Sequence, residues 1–153
     1  MGQIEKCKAQ ELFFDARNPR LVEFEHTSDE NKILNILWDN MAVNEIVMSI
    51  LANGFLYCSG QIAINPDINV FEDNNIEQQT LRVMRNIEAV LEEAGYKFDD
   101  VIKTTCFLDD MNNFSKFNEI YEKYFVSCPA RSCVEAKLPK GAKVEVEVIA
   151  YKS

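Results

Sequence analysis

Arg131, Cys133 and Glu135 alternate along one stretch of the chain, and Glu145 and Glu147 alternate along another. A guanidinium offers two parallel N–H donors to a carboxylate, so Arg131 is a natural anchor for an acid. It could instead form an interstrand ion pair with Glu135 or Glu147, and spacing alone leaves the two roles evenly open. A glutamate such as Glu145, held in a partly dry cleft, has its pKa raised toward the range useful for positioning water or moving a proton. The plainer role is a solvated strand carboxylate. Cys133 lies two residues past Arg131 and shares its strand face, where it could line a pocket or fill space as a small buried hydrophobe. A covalent thiolate role is disfavoured, because no histidine is placed to activate it. Ser59-Gly60 follows a strand, and glycine there permits either close backbone approach by a ligand or a bulge. Asn118 interrupts an aromatic helix, where asparagine is a modest helix former; it reaches a pocket or a neighbouring subunit, or is simply exposed.

Other chemistries are poorly supplied. The single histidine, His26, rules against a zinc pattern, and nothing places it near a nucleophile for a Ser-His-Asp triad. The five cysteines, Cys7, Cys58, Cys106, Cys128 and Cys133, are odd in number and lack C-x-x-C spacing, which fits reduced thiols. Cys58, Cys106 and Cys128 read as small buried hydrophobes. A net charge of −9 repels a polyanion, so general nucleic-acid binding is disfavoured, although a local basic cleft is compatible with it. No apolar run reaches the ~20 residues of a membrane span, and no signal or transit peptide is visible. The expected compartment is the cytosol. Met1-Gly2 does not open a myristoylation motif, since Lys6 stands where serine or threonine is required.

The elements that must position these residues are clearest after residue 50. The 153 residues fit one domain, with 47% hydrophobic residues for its core. Phe55–Ile64 reads as a strand, Pro66–Asn69 as a turn and Val70-Phe71 as the start of a returning strand. Ile76–Ala94 reads as a helix with Ile76, Thr80, Met84, Ile87 and Leu91 on one face and Gly95 as its stop. Val101–Leu108 is a strand. Phe114–Phe125 is a helix whose stripe of Phe114, Phe117, Tyr121, Tyr124 and Phe125 faces the sheet as core. Arg131–Ala136 is a short strand, Leu138–Gly141 a turn, and Lys143–Tyr151 a strand of strict alternation. Two helices can cover one sheet face only, giving an α+β layer. Alternation then places Arg131, Cys133 and Glu135, with Glu145, Glu147 and Ile149, on the uncovered face. That mixture suits solvent or an oligomer interface, with solvent slightly favoured. Before residue 50, Thr27-x-x-Glu30 resembles a capping box opening a helix to about Asn40. Part of Val43–Ala52 is expected to pair as a strand, and the segment before His26 to be loosely held.

Five blocks carry a family resemblance. They are Cys58-Ser59-Gly60-Gln61-Ile62 with Asn65-Pro66-Asp67; Gln79-Thr80 through Asn86-Ile87 with Ala94-Gly95; and Val101-Ile102-Lys103-Thr104-Thr105 with Asp109-Asp110-Met111 and Phe114. The fourth is Asn118-Glu119-Ile120-Tyr121. The fifth is Pro129-Ala130-Arg131-Ser132-Cys133-Val134-Glu135, followed by Leu138-Pro139-Lys140-Gly141 and Val144-Glu145-Val146-Glu147. In order and spacing they resemble the RidA/YjgF family, also known as the L-PSP endoribonuclease family, over residues 51–153, about two thirds of the chain. Residues 1–50 are an N-terminal extension or a divergent segment. The family's G-P-Y-S-Q-like segment is replaced by Asn44–Ser49, with Ile46 where the tyrosine would stand.

The resemblance implies an α+β fold like that of a small chorismate mutase: a mixed sheet with two helices on one face, assembled as a homotrimer with sites between subunits. It implies hydrolysis of 2-aminoacrylate or 2-iminobutanoate to the 2-oxo acid and ammonia, without a cofactor. It favours Arg131 as the carboxylate anchor and Glu145, over Glu147, as the proton-handling group. Cys133 would line the pocket, and Ser59, Gly60 and Asn118 would contact substrate. Two other readings stand beside it: a ribonuclease or translation inhibitor, opposed by the acidic charge and the lone histidine, and a non-catalytic ligand-binding trimer.

Overall fold

A computed structural model of the chain describes residues 20–24, 33–37, 47–65, 70–71 and 75–153. Nine strands and two α-helices are described: β1 (Arg20–Phe24), β2 (Ile33–Leu37), β3 (Val47–Ala52), β4 (Phe55–Cys58), β5 (Ile64–Asn65), β6 (Val70–Phe71), α1 (Ile76–Glu93), β7 (Val101–Leu108), α2 (Phe114–Tyr124), β8 (Ala130–Glu135) and β9 (Val144–Tyr151). Seven strands form one mixed sheet in the order β1-β2-β3-β4-β9-β7-β8, and β5 pairs with β6 separately. All neighbours in the large sheet are antiparallel except β7 and β8, which α2 joins by a crossover. The class is α+β, as the element order implies.

Helix α1 begins where the Asn75 side chain accepts the Glu77 and Gln78 amides, at 2.8 and 3.4 Å, satisfying donors that have no partner within the helix. It ends at Gly95, whose φ of +77° belongs to the left-handed region that glycine enters without steric cost. Its apolar face buries Ile76, Val83, Met84, Ile87, Val90 and Leu91. Helix α2 buries Phe117, Ile120 and Tyr121, and its N-terminal turn is tied to α1 by a Lys116–Glu77 ion pair at 3.0 Å. Against both helices lie Leu56, Cys58, Cys106, Leu108, Val144, Val146, Val148 and Ala150, all buried.

Several expectations need correction. Residues Ile33–Leu37 are strand β2, not helix, paired with β1 on one side and β3 on the other. Four of its five residues are isoleucine or leucine, and strand pairing on both edges overrode the helical spacing. Arg20–Phe24, within the stretch expected to be loose, is strand β1. The expected strand Phe55–Ile64 breaks after Cys58: Gln61 forms an isolated bridge to Val146, and β5 starts only at Ile64. Strand β3 does pair within the expected Val43–Ala52 window. The Pro66–Asn69 turn, the start of the proposed helix at Thr27 and the position of Ile46 lie outside the described residues.

The largest correction concerns the sheet faces. Thr104, Cys106 and Leu108 are buried and pair with Arg131, Cys133 and Glu135 across the parallel ladder. In-register neighbours share a face, so these three β8 residues point to the helix side. Glu145, Glu147 and Ile149 occupy the opposite, uncovered face, level with Phe107, Thr105 and Lys103. The alternation within each strand was right; the relative phase of the two strands was not, because phase is set by pairing and not by either segment alone.

Candidate active site

Arg131 lies on edge strand β8, on the helix side of the sheet. Its Nη1 donates to Asn118 Oδ1 at 2.7 Å. Its guanidinium carbon stands 4.6 Å from the Tyr121 ring centroid and 5.5 Å from that of Phe114. These three partners sit at i, i+4 and i+7 on α2, one helical face presented to the edge of the sheet. The interstrand ion-pair alternative is not realised. Glu135 Oε2 accepts the Met111 amide at 2.9 Å, and Glu147 projects from the other face. No described carboxylate lies within ion-pairing distance of Arg131. The side chain is exposed, so donors not used by Asn118 face outward.

Cys133 is half-buried beside this arginine. Burial pushes its thiol up, and the nearby Arg131 charge opposes that rise. A thiol raised in this way has little thiolate character. Cys58 and Cys106 are buried, and desolvation pushes both up to about 12, as expected for space-filling cysteines. Cys128 departs from that expectation. It is exposed, in the turn before Pro129, with φ +54°.

Glu145 forms a second cluster on the uncovered face. The loop carrying Ser59 and Gly60 is brought to it by reciprocal backbone bonds between Gln61 and Val146, at 2.9 and 3.1 Å. Two buried amides of α1 brace the surroundings. Asn86 donates to the Ile62 and Ile64 carbonyls, and Gln79 accepts the Lys143 amide at the entry to β9. The Gln61 side chain donates to the Ser59 carbonyl at 3.0 Å. A Cβ added at Gly60 would overlap Glu145 Oε1 and lie 2.8 Å from its carboxyl carbon. The loop therefore packs directly under the carboxylate. Burial, and secondly the charge of Glu147, raise the Glu145 pKa above the ordinary carboxylate value.

Within one chain these residues form two separate clusters. Arg131, Asn118 and Cys133 come together on the helix side of β8; Gly60 and Glu145 come together on the opposite face, with Ser59 exposed beside them. Arg131 and Glu145 are not brought together within the chain. The helical spacing of Phe114 and Tyr121 reads as core and does not mark them as neighbours of Arg131; their i, i+7 relation through Asn118 is the signal that could have found them. Among the described residues no three potential metal ligands converge.

The endoribonuclease L-PSP family model matches residues 39–152. A RutC family protein of Pyrococcus horikoshii is 49% identical over 106 residues, spanning 68% of this chain and 84% of its own. The structure is similar to YyfA of the Rid protein family from Yersinia pestis, at 50% identity, 72% and 90% coverage and a TM-score of 0.70. It is also similar to the YjgF gene product of E. coli, at 35% identity, 73% and 91% coverage and a TM-score of 0.68. E. coli TdcF, solved with bound serine, is 27% identical, with 94% and 100% coverage and a TM-score of 0.70.

Proposed function

The chain belongs to the Rid, RutC and L-PSP family, and from that premise we propose that it hydrolyses 2-aminoacrylate and 2-iminobutanoate-type enamines and imines to 2-oxo acids and ammonia. The observation that carries this reading is Arg131: an exposed guanidinium, seated on an aromatic ring, held by Asn118 and free of any described carboxylate partner. Such a group is set to take the carboxylate of a small planar acid. Serine bound by TdcF, a relative of the same fold, carries that carboxylate.

In the proposed reaction the enamine, where it is the starting species, first gains a proton at its terminal carbon to give the imine. Water then adds to C2. Glu145 takes the proton from the attacking water, and the nitrogen gains protons as the carbinolamine collapses. One water is consumed and one ammonia leaves. Arg131 anchors, Asn118 orients the anchor, Cys133 lines the pocket, and the Ser59-Gly60 loop offers backbone to the substrate. No step uses a cofactor.

The opposite-face arrangement fits a site shared between subunits of a homotrimer, with Arg131 from one and Glu145 from the next. The uncovered face is suited to burial: Tyr57, Val134, Tyr151 and Ile50 are 47, 47, 42 and 40% exposed on it. Ile50, Tyr57 and Tyr151 neighbour one another on β3, β4 and β9, while Val134 stands apart on β8; an exposed apolar patch of this kind supports an interaction surface over plain solvent. The cytosol is the proposed compartment, and among the described residues no helix is long and apolar enough to cross a membrane.

A coupled assay tests the function. Threonine dehydratase generates 2-iminobutanoate, and the protein is expected to accelerate ammonia and 2-oxobutanoate release. No acceleration, together with cleavage of single-stranded RNA that follows the purified protein and resists salt, would favour the ribonuclease reading instead.

Two further outcomes follow from the Glu145 cluster. Gly60→Ala forces the carboxylate aside; the displaced atoms are the far end of a flexible side chain, so the fold survives. Misplacing a reacting group by about 1 Å can cost on the order of a hundredfold, and kcat should fall by that order with the melting temperature near wild type. An unchanged kcat would show that Glu145 does not act from its place on the loop. The second outcome concerns pH. Glu145 works as a base when ionised, and its raised pKa sets the acid limb of kcat/KM above the ordinary carboxylate range. Glu147→Gln removes the lesser cause of the rise, so the limb moves to lower pH while burial keeps it elevated. A limb that stays in place would mean that another group titrates.

A further inference from the structure

Tyr121 is 6% exposed, yet its ring face lies 4.6 Å from the exposed Arg131 guanidinium carbon. Its position is fixed from three directions. Its hydroxyl shares a buried 2.8 Å hydrogen bond with Thr104 Oγ1, from the β7 residue paired with Arg131. Its ring packs 4.4 Å from Phe125 and 5.6 Å from Phe117, centroid to centroid. The tyrosine is thus fastened to the strand beside the arginine and to the core of its own helix. An arginine on an exposed edge strand has several free rotors; a rigid ring beneath it and Asn118 at its edge select one orientation.

We propose that Tyr121, held by Thr104, is a positioning residue that pre-orients the Arg131 guanidinium for a carboxylate ligand, and that the wall of the anchor pocket is this Thr104–Tyr121–Arg131 stack. The inference rests on the anchoring role proposed for Arg131. Tyr121 touches no reacting atom. Its contribution is to hold the guanidinium plane in place before the ligand arrives, so that less of the binding energy is lost in ordering the arginine. The hydroxyl and the ring then have separable duties: the Thr104 bond stabilises the core, and the ring presents the cation.

The test compares Tyr121→Leu, which removes the ring, with Tyr121→Phe, which keeps the ring and loses the bond to Thr104. Both are assayed below their melting transitions. Tyr121→Leu is expected to raise KM, and the dissociation constant for 2-oxobutanoate, by about tenfold with kcat nearly unchanged, the signature of lost uniform binding. Affinity for the neutral analogue 2-oxobutanamide should not move. Tyr121→Phe keeps the ring beneath the guanidinium but loses the bond to Thr104, so it is expected to melt earlier and to raise KM by clearly less than Tyr121→Leu; an equal rise in the two variants would show that the ring face does not position the cation. The positioning is also read without substrate: the Arg131 Nε–H proton, shifted upfield by the ring current, should remain shifted in Tyr121→Phe and lose that shift in Tyr121→Leu. If Tyr121→Leu keeps both the affinity and the shift, the proposal is wrong. If the wild-type protein hydrolyses no imine, the functional reading fails, while the arginine resonance and the 2-oxobutanoate affinity still decide the positioning.

Discussion

Arg131→Ala is expected to abolish imine hydrolysis and leave a folded protein. The side chain is exposed on an edge strand, and its described contacts are one hydrogen bond to Asn118 and the faces of two rings. An exposed cation–π contact contributes about 0.5–1 kcal/mol, a small part of the stability of a domain of this size. The melting temperature should therefore drop by only a few degrees. The proposed hydrolysis is expected to depend on the same side chain far more steeply. Losing a charged partner that pairs with a buried carboxylate costs about 2–5 kcal/mol, a factor from roughly thirty to several thousand in kcat/KM. Arg131→Lys keeps the charge and loses the two-donor fork, so it should recover only part of the loss. The checks are steady-state kinetics and calorimetric binding of 2-oxobutanoate to both variants. A folded Arg131→Ala protein with wild-type turnover would make the arginine structural and displace the site altogether.

Much of the fold was legible because its strong elements carry their own signals. Helix α1 announces its interior by 3.6-residue spacing and its end by Gly95. Strand β9 alternates without a break, and its buried residues are the ones the alternation selects. The failures have one physical source, that strand pairing is not a local property. Ile33–Leu37 holds apolar residues at a spacing compatible with a helical face, and only its two neighbours in the sheet decide for β structure. The break after Cys58 depends on Gln61 finding Val146, a partner far along the chain. The assignment of Arg131 to the uncovered face failed likewise: each strand alternates correctly, and the register Cys106↔Cys133 decides which half faces the helices.

For the candidate site, residue types and family resemblance together named Arg131, Asn118, Cys133, Ser59, Gly60 and Glu145. The structure groups them as two sets on opposite faces, a division that one-dimensional spacing does not encode. The contact of Gly60 with Glu145 was also illegible, because it joins a loop to a strand some eighty-five residues later through the Gln61–Val146 bridge. Tyr121 was hidden by its own dual character. It is buried like any core aromatic, yet one face of its ring is left for a cation.

In the proposed trimer Arg131 of one subunit and Glu145 of its neighbour complete a single site, and mixed assembly separates that arrangement from a site within one chain. Arg131→Ala lacks the anchor at every site, and Glu145→Gln lacks the base, whose removal costs about 10²–10⁴-fold. Each variant alone should be nearly inactive. Co-expressed in equal amounts and purified as mixed trimers, the two should regain activity. At a site that draws its arginine and its glutamate from different subunits, random assembly leaves both residues intact at about one site in four. The expected result is therefore about a quarter of wild-type turnover per site, with wild-type KM at the restored sites. Mixed trimers as inactive as either parent would rule out a site shared between subunits, since each site would then draw its arginine and glutamate from one chain that carries a lesion.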